Sequence, residues 1–173
     1  MEDDDDTKYK YSDINGRRIR VSIDNPMDVW IWRNLKTRDD YWFKFKVTLL
    51  INHLGYKTYK IKITNKNHIL SRVIYKCFNN DWDITDNSEN NLVDHKNINS
   101  LDNRIENLRI LNHQHNQWNR KDVRGTTFIK KSGKWTARIT INGKRKEKAG
   151  FKTEELAHEW YLMMKEEHRK LPE

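Results

Sequence analysis

The sequence predicts an α+β fold built from small compact modules, and three observations lead to this prediction. Only 35% of the 173 residues are hydrophobic and the mean hydropathy is −1.07, which is lean for one large core. Several short segments alternate polar and apolar residues between turn signals, as half-buried antiparallel strands do. Near the C-terminus the apolar residues recur at helical spacing instead. Seven Trp and seven Tyr would help to stabilise the small cores of such modules, because each ring buries a large apolar surface.

The first part of the chain is predicted to be rich in β-structure. Residues 1–11 are charged and have no apolar period, so we expect a disordered acidic tip. Asn15-Gly16 is a strong turn signal. A short amphipathic helix is expected at 71–78, followed by an Asn/Asp-rich loop at 79–91. The predicted strands are 18–23, 41–50 and 55–63.

Residues 92–119 concentrate Asp, His and Asn side chains in one short segment. A short apolar run ends in Asp94-His95, and a series of asparagines follows. Carboxylate and amide oxygens are the ligands that Mg²⁺ and Mn²⁺ prefer. A neutral imidazole can accept a proton from water near pH 7. This segment therefore has the groups that a hard divalent cation and a general base require.

The C-terminal segment is predicted to form a small sheet followed by a helix. Asn142-Gly143 is a hairpin turn signal between two strand-like runs, and Thr153 is a suitable helix N-cap. On the central run, Trp135, Ala137, Ile139 and Ile141 point to one face and should pack on the helix. The other face of the sheet should then be basic. The apolar residues of the helix are Ala157, Trp160, Tyr161 and Met164.

The positive charge of the chain is concentrated in residues 120–150. This window holds eleven basic and two acidic residues, so its net charge of +9 equals that of the whole chain. Such a density favours a polyanionic partner, and the alternative is a solvated face that only keeps the protein soluble. The basic residues lie on apparent strands, which suits nucleic acid better than a membrane surface.

Several classes of protein are excluded by simple counts. No run of about 18 apolar residues exists, so we expect no membrane span. The acidic start differs from a secretory signal, so we expect an intracellular protein, in the cytoplasm or nucleus of its host cell. Cys77 is the one cysteine, which excludes internal disulfides and zinc sites with two or more cysteines.

Residues 92–119 resemble the HNH nuclease motif of phage and intron-encoded homing endonucleases. The resemblance is carried by Val93-Asp94-His95 and by the phrase Leu-Asp-Asn-Arg-Ile-Glu-Asn-Leu-Arg at 101–109. It implies a ββα-metal fold around one divalent cation, Mg²⁺ or Mn²⁺. The hairpin would run through Asp94-His95 and Arg109-Ile110, and the helix would span about 112–119.

The resemblance also implies roles for individual residues in phosphodiester hydrolysis. Asp94 would be the first metal ligand and His95 the general base that activates water. Asn107 would hold the loop and orient the base, although a turn or cap role alone is the alternative. Asn116 would be the second metal ligand, where the family most often has His, and His113 is its rival. Arg104 or Arg109 would steady the phosphate oxygens.

The segment after 124 resembles the AP2 DNA-binding domain. The matching residues include Arg124-Gly125, Lys134-Trp135, Asn142-Gly143 and Gly150-Phe151. In that family a three-stranded sheet enters the DNA major groove, and a helix packs behind it. The implied DNA contacts are Arg124, Thr127, Arg138, Thr140, Lys146 and Lys148, with Lys130 and Lys134 near phosphates.

Together these features predict three segments: a disordered tip at 1–11, an HNH nuclease domain at 12–119 and an AP2-like domain at 124–170. The expected function is a metal-dependent, site-specific homing endonuclease of a mobile element, acting on double-stranded DNA without an obligate protein partner. One alternative is a catalytically inactive, sequence-specific DNA-binding regulator. Another is a basic protein that binds RNA non-specifically.

Overall fold

The computed structural model describes residues 5–35, 38–118 and 123–168. Within these residues the chain has several small antiparallel sheets and three helices, which confirms the predicted α+β class. Contacts between residues divide the chain into two compact units, Met1–Ile110 and Leu111–Glu173. Each unit is described separately below.

A four-stranded antiparallel meander opens the first unit. Its strands pair in chain order: β1 (Tyr9–Ile14), β2 (Arg17–Ser22), β3 (Val29–Leu35) and β4 (Arg38–Lys44). Asn15 and Gly16 both have positive φ, at 54° and 68°, as expected for the tight turn between β1 and β2. Disorder was expected up to residue 11, but β1 begins at Tyr9, because Tyr9 pairs with Ser22 across the hairpin. Residues 1–4 lie outside the described part of the chain.

The two faces of this sheet differ in chemistry. One face buries Ile19, Val21, Val29 and Ile31 in the core of the unit. The opposite face carries aromatic rings that surround the Arg20 guanidinium. Its central carbon lies 4.2 Å from the Tyr9 ring centroid, 4.4 Å from that of Trp42 and 5.3 Å from that of Trp30. Stacking on these rings stabilises the cation on this face.

A second sheet and a helix complete the core of the first unit. The sheet contains β5 (Thr48–Ile51), β6 (Lys57–Ile63) and β7 (Lys66–Ile69), and the helix is α1 (Leu70–Phe78). The predicted strand 41–50 is therefore divided between β4 and β5. The expected amphipathic helix is confirmed, since Leu70, Val73, Ile74 and Cys77 of α1 are all buried.

The loop after α1 is held by one arginine. Residues 79–91 contain no helix or strand, as predicted. The Arg72 guanidinium donates hydrogen bonds of 2.7 to 3.0 Å to the carbonyls of Ile84, Asp86 and Asn91. The loop is followed by β8 (Leu92–His95). A 3₁₀ turn at Ile105–Asn107 then precedes β9 (Leu108–Leu111), which pairs with β8.

The second unit begins with a short helix and continues as a small sheet with a longer helix. The elements are α2 (His113–Trp118), β10 (Thr126–Ile129), β11 (Lys134–Ile141), β12 (Lys144–Phe151) and α3 (Glu154–Glu167). The Trp118 ring is buried in the same core as Ala137, Ile139, Ala157 and Tyr161. The division at 110 therefore differs from the expected boundary near 119. Residues 119–122 and 169–173 are outside the described part.

Local signals in the second unit agree with the structure. The Thr153 hydroxyl accepts a hydrogen bond from the Leu156 amide, as an N-cap does. Asn142 and Gly143 have φ of 50° and 73°, the combination that a type I′ hairpin turn requires. Among the described helices, none is long and apolar enough to cross a membrane.

Candidate active site and nucleic-acid interface

Asp94 and His95 are consecutive buried residues at the end of β8. Each residue is only 8% exposed. Arg109, on the paired strand β9, donates from Nε to Asp94 Oδ2 at 2.9 Å, and its side chain is 19% exposed. A shielded carboxylate next to a guanidinium keeps its negative charge compensated. Arg109, which was expected to steady a phosphate, is therefore engaged with Asp94 in this structure.

The His95 ring is positioned by Asn103. His95 Nε2 lies 3.1 Å from Asn103 Oδ1, and Asn103 is 2% exposed. Asn103 Nδ2 points to the Leu101 carbonyl at 3.5 Å, which places the amide oxygen on the histidine side. Because an amide oxygen can only accept, this contact is a hydrogen bond in the tautomer that carries a proton on Nε2. In that tautomer the lone pair of the ring lies on Nδ1.

Asn107 holds the loop between the two strands. Its Oδ1 accepts from the Asn97 amide at 3.0 Å, and its Nδ2 donates to Asn97 Oδ1 at 3.0 Å and to the Asp102 carbonyl at 2.7 Å. The Asn107 carbonyl also accepts from the Lys96 amide at 2.8 Å. These contacts match the expected loop-holding role. Asn107 was also expected to orient the base; the contact that the structure gives at His95 Nε2 is made by Asn103.

Arg104 is committed to the loop rather than directed at Asp94 and His95. It donates to both carboxylate oxygens of Asp102 at 2.9 Å, and Nη1 lies 3.4 Å from Glu106 Oε1. The hydrogen bonds from Arg104 lower the pKa of Asp102 to about 2, against the opposing effect of desolvation. Arg104 is therefore paired with two neighbouring acids. Its expected contact with phosphate oxygens stays a prediction.

The residues proposed to hold a cation are divided between the two units. Asp94 lies in the first unit, and Asn116 and its rival His113 lie on α2 in the second. The Asn112 side chain begins this helix by accepting from the His115 amide at 2.8 Å, and His113 contacts Gln117. Within the described residues, no group of three or more His, Cys, Asp and Glu side chains is arranged to hold a metal. The donors expected here, one carboxylate and one amide oxygen, still suit Mg²⁺, which commonly keeps several waters.

The outer face of the second sheet carries part of the predicted DNA-contact set. Cross-strand partners share a face, and Arg138 pairs with Glu147 while Thr140 pairs with Arg145. Thr127 pairs with Thr136, and Lys134 alternates with Thr136 on the same side. Arg138 Nε lies 2.8 Å from Glu147 Oε2, and Arg145 lies 3.3 Å from the same oxygen. We call this the outer face; it consists of Thr127, Lys134, Arg138, Thr140, Arg145 and Glu147, while Thr136 on the same side is buried.

Two other predicted contacts lie on the opposite side of the sheet. Lys146 pairs with Ile139 and Lys148 pairs with Ala137, both of which are buried against α3. Lys146 Nζ lies 3.2 Å from His168 Nε2, just after the end of α3, and Lys148 Nζ lies 5.7 Å from the Phe151 ring centroid. The structure thus does not bring these lysines together with Arg138 and Thr140.

The remaining two predicted contacts lie outside the strands of the sheet. Arg124 precedes β10, and its guanidinium lies 3.3 Å from Glu154 Oε1 in the first turn of α3. Lys130 is exposed in the turn that follows β10. Neither side chain lies on the outer face as defined above.

Sequence reasoning missed two residues that the structure places in these sites. Asn103 was given no role in the site, and its near-complete burial beside His95 has no simple sequence signal. Arg145 could have been found. A two-residue Asn142-Gly143 turn pairs Ile141 with Lys144, so the register assigns Arg145 to the face of Thr140.

The two units thus contribute different functional groups. The first has a buried acid and a buried base braced by Arg109 and Asn103, and the second has a cationic sheet face. Comparison of the chain with protein-family models, with curated proteins and with solved structures found no match.

Proposed function

We propose that the protein is a metal-dependent DNA endonuclease of the HNH type, acting as a homing endonuclease of a mobile element. The observation that carries this proposal is the burial of two consecutive residues, Asp94 and His95, each held by a partner from the same hairpin. A buried acid and a buried base of fixed orientation are what water activation beside a phosphate requires. The resemblance of residues 92–119 to the HNH motif supports the same assignment.

In the proposed reaction His95 acts as the general base. Its Nδ1 takes a proton from a water molecule whose oxygen attacks the phosphorus, and the bond from phosphorus to the 3′ oxygen breaks. Asn103 would keep the ring in the required tautomer by accepting a hydrogen bond from Nε2. A divalent cation, when bound through Asp94, would supply charge stabilisation for the phosphate and the leaving oxygen. Asn116, or His113, stays the predicted second ligand.

Arg109 would have two partners during this reaction. In the structure it compensates the Asp94 carboxylate. A cation at Asp94 would take over that compensation, and the guanidinium would then be available to a non-bridging phosphate oxygen, as its Nε and Nη donors match phosphate geometry. This keeps the expected phosphate role for Arg109, whereas Arg104 is already paired with Asp102 and Glu106.

The outer face of the second sheet is the part proposed to hold duplex DNA. Lys134, Arg138 and Arg145 provide three cations on one side, and Thr127 and Thr140 add hydroxyl groups. Phosphate contacts would supply most of the affinity, and an arginine can read guanine by two hydrogen bonds. Glu147 shares its carboxylate between Arg138 and Arg145, so base reading would require this contact to open.

Relaxation of supercoiled plasmid carrying candidate targets tests the proposal. Wild type, His95→Ala and the control His53→Ala, which changes an exposed histidine between β5 and β6, are compared in Mg²⁺ and in EDTA. We expect nicking or linearisation by wild type and the control in Mg²⁺ only, with a loss of at least about 100-fold for His95→Ala. Cleavage that persists in His95→Ala would contradict the assignment of the base.

The second candidate function is a sequence-specific DNA-binding regulator without catalysis. The ion pair of Arg109 with Asp94 favours it, since a guanidinium already compensates the carboxylate that the metal would need. This candidate predicts that all three proteins bind duplex DNA equally and that none cleaves in Mg²⁺ or Mn²⁺. Direct titration with Mn²⁺ separates the two, because only the nuclease should lose metal binding on Asp94→Asn.

A further inference from the structure

A cationic cavity lies in the first unit, and none of the residues assigned above lines it. Its volume is about 300 Å³, and its walls come from the start of β2, the end of β3 and the end of β6. This volume is at the lower end of the range for small-molecule sites, roughly 300–1,000 Å³. Arg17, Arg33 and Lys62 contribute the charged part of the lining, and Ile31 and Phe45 contribute an apolar part.

The charges of this cavity have no matching acid in its lining. Each cation comes from a different strand, and no Asp or Glu lines the cavity. Across the described residues, none of these three cations lies within ion-pair distance of a carboxylate, whereas Arg104, Arg109, Arg138 and Arg145 all do. Three like charges on residues that line one concave space raise the local potential and attract an anion.

The surroundings of the cations suit a phosphate group in particular. The Arg33 guanidinium is stacked 4.2 Å from the centroid of the Phe43 ring, which limits its orientations. Asn34 and Thr64 add polar groups to the lining, with the Asn34 amide fixed by a 2.9 Å hydrogen bond to Asp40. Guanidinium groups bind phosphate oxygens through paired N–H donors, and a lysine adds a point charge.

We propose that this cavity is a phosphate-binding site of the first unit, with Arg17, Arg33 and Lys62 as its ligands. The phosphate belongs either to the backbone of a nucleic acid or to a free nucleotide, two sources of the same chemistry. Ile31 and Phe45 provide an apolar wall for the sugar or base attached to the phosphate. The proposal does not depend on cleavage at His95, because the cavity shares no residue with that site.

Nuclear magnetic resonance titration of the full chain tests the proposal. The backbone amides of Ile31 and Thr64 and the Nε–H groups of Arg17 and Arg33 report on the cavity. Three probes are added separately: inorganic phosphate, thymidine monophosphate and a short DNA duplex. We expect saturable shifts at these four reporters with all three probes, at millimolar concentrations for inorganic phosphate.

The order of affinities identifies the source of the phosphate. Tightest binding of the duplex would assign the cavity to the nucleic-acid backbone, and tightest binding of the mononucleotide would assign it to a free nucleotide. The triple variant Arg17→Gln, Arg33→Gln, Lys62→Gln should bind the preferred probe with an affinity lower by about tenfold or more. The Ile31 and Thr64 amides, which remain in this variant, report that affinity. The control variant Lys46→Gln, Lys57→Gln, Lys66→Gln removes the same charge from exposed positions outside the lining and should have a smaller effect.

Two results would overturn the site. One is the absence of saturable shifts at the cavity reporters of the folded wild type. The other is equal weakening in the two triple variants, which would show that only the general charge of the chain attracts the probe. The His95→Ala variant should keep the cavity shifts even where it loses cleavage, so failure of this inference and failure of the nuclease proposal are distinguishable.

Discussion

At the residue scale, two asparagines in the loop between β8 and β9 make different contacts. Asn107 satisfies backbone groups across the loop, while Asn103 reaches the ring of His95. Both asparagines are buried, at 6% and 2% exposure, so each lost contact would leave an unpaired polar group. The loop therefore acts as a rigid support for the proposed base.

The Arg104 and Asp102 pair at the rim of this loop gives a pH-dependent prediction. Arg104 holds the pKa of Asp102 at about 2, below the ordinary value of 3.8. The pKa of Asp102 is lower in the folded protein than in the unfolded chain, so the pair stabilises the folded loop at pH values above about 4. This contribution is lost as the pH falls from about 4 to about 2, because Asp102 becomes protonated. In Arg104→Gln the pKa of Asp102 should rise toward its ordinary value. Carboxyl carbon shifts in a pH titration measure it, and an unchanged pKa would refute the assigned cause.

At the element scale, the C-terminal sheet depends on close contact between α3 and a glycine directly before β10. Gly125 has φ of 66°, and a Cβ there would lie 2.1 Å from the Tyr161 ring. The Gly125 carbonyl also accepts from the Arg138 amide at 2.7 Å, so the segment cannot move away without losing this bond. The buried Tyr161 thus requires the absence of a side chain at 125.

The variant Gly125→Ala should destabilise this sheet by about 3 kcal/mol, from the steric overlap and the positive φ together. Gly133→Ala is the matched control, because its φ is also 66° but nothing lies within 4 Å of its Cβ position. That control should cost only about 1–2 kcal/mol. Urea unfolding followed through amide signals of β11 measures both, and equal losses would show that the Tyr161 contact is unimportant.

At the scale of the whole molecule, the sequence predicted much of the local structure, whereas contacts between distant residues had no local signal. Asn-Gly turns, alternation and the Thr153 cap are short-range signals, so the turn between β1 and β2, the β11–β12 hairpin and α3 followed from neighbouring residues alone. Tyr9 enters a strand because of its partner on β2, and the phosphate cavity forms from three strands distant in sequence. Such features depend on tertiary pairing, which no local pattern reports.

The concentration of charge in one segment gives a prediction for DNA binding. Lys134→Gln with Arg145→Gln removes two cations from the outer face, and Lys144→Gln with Lys148→Gln removes two from the side that packs on α3. If the outer face binds duplex, the first pair should reduce the slope of log affinity against log salt by about 2, and the second pair by less. Fluorescence anisotropy with a labelled duplex at several salt concentrations measures both slopes. Equal slopes would argue against a defined binding face.

The central claim, that His95 activates water for phosphodiester hydrolysis, is tested most directly by chemical rescue. His95→Ala removes a buried ring and leaves a cavity beside Asn103 that exogenous imidazole can enter. We expect this variant to cleave plasmid DNA in Mg²⁺ only when imidazole is added, with a rate that follows the fraction of neutral imidazole as the pH is raised. Cleavage by His95→Ala at the wild-type rate without imidazole would contradict the role of His95 as the general base.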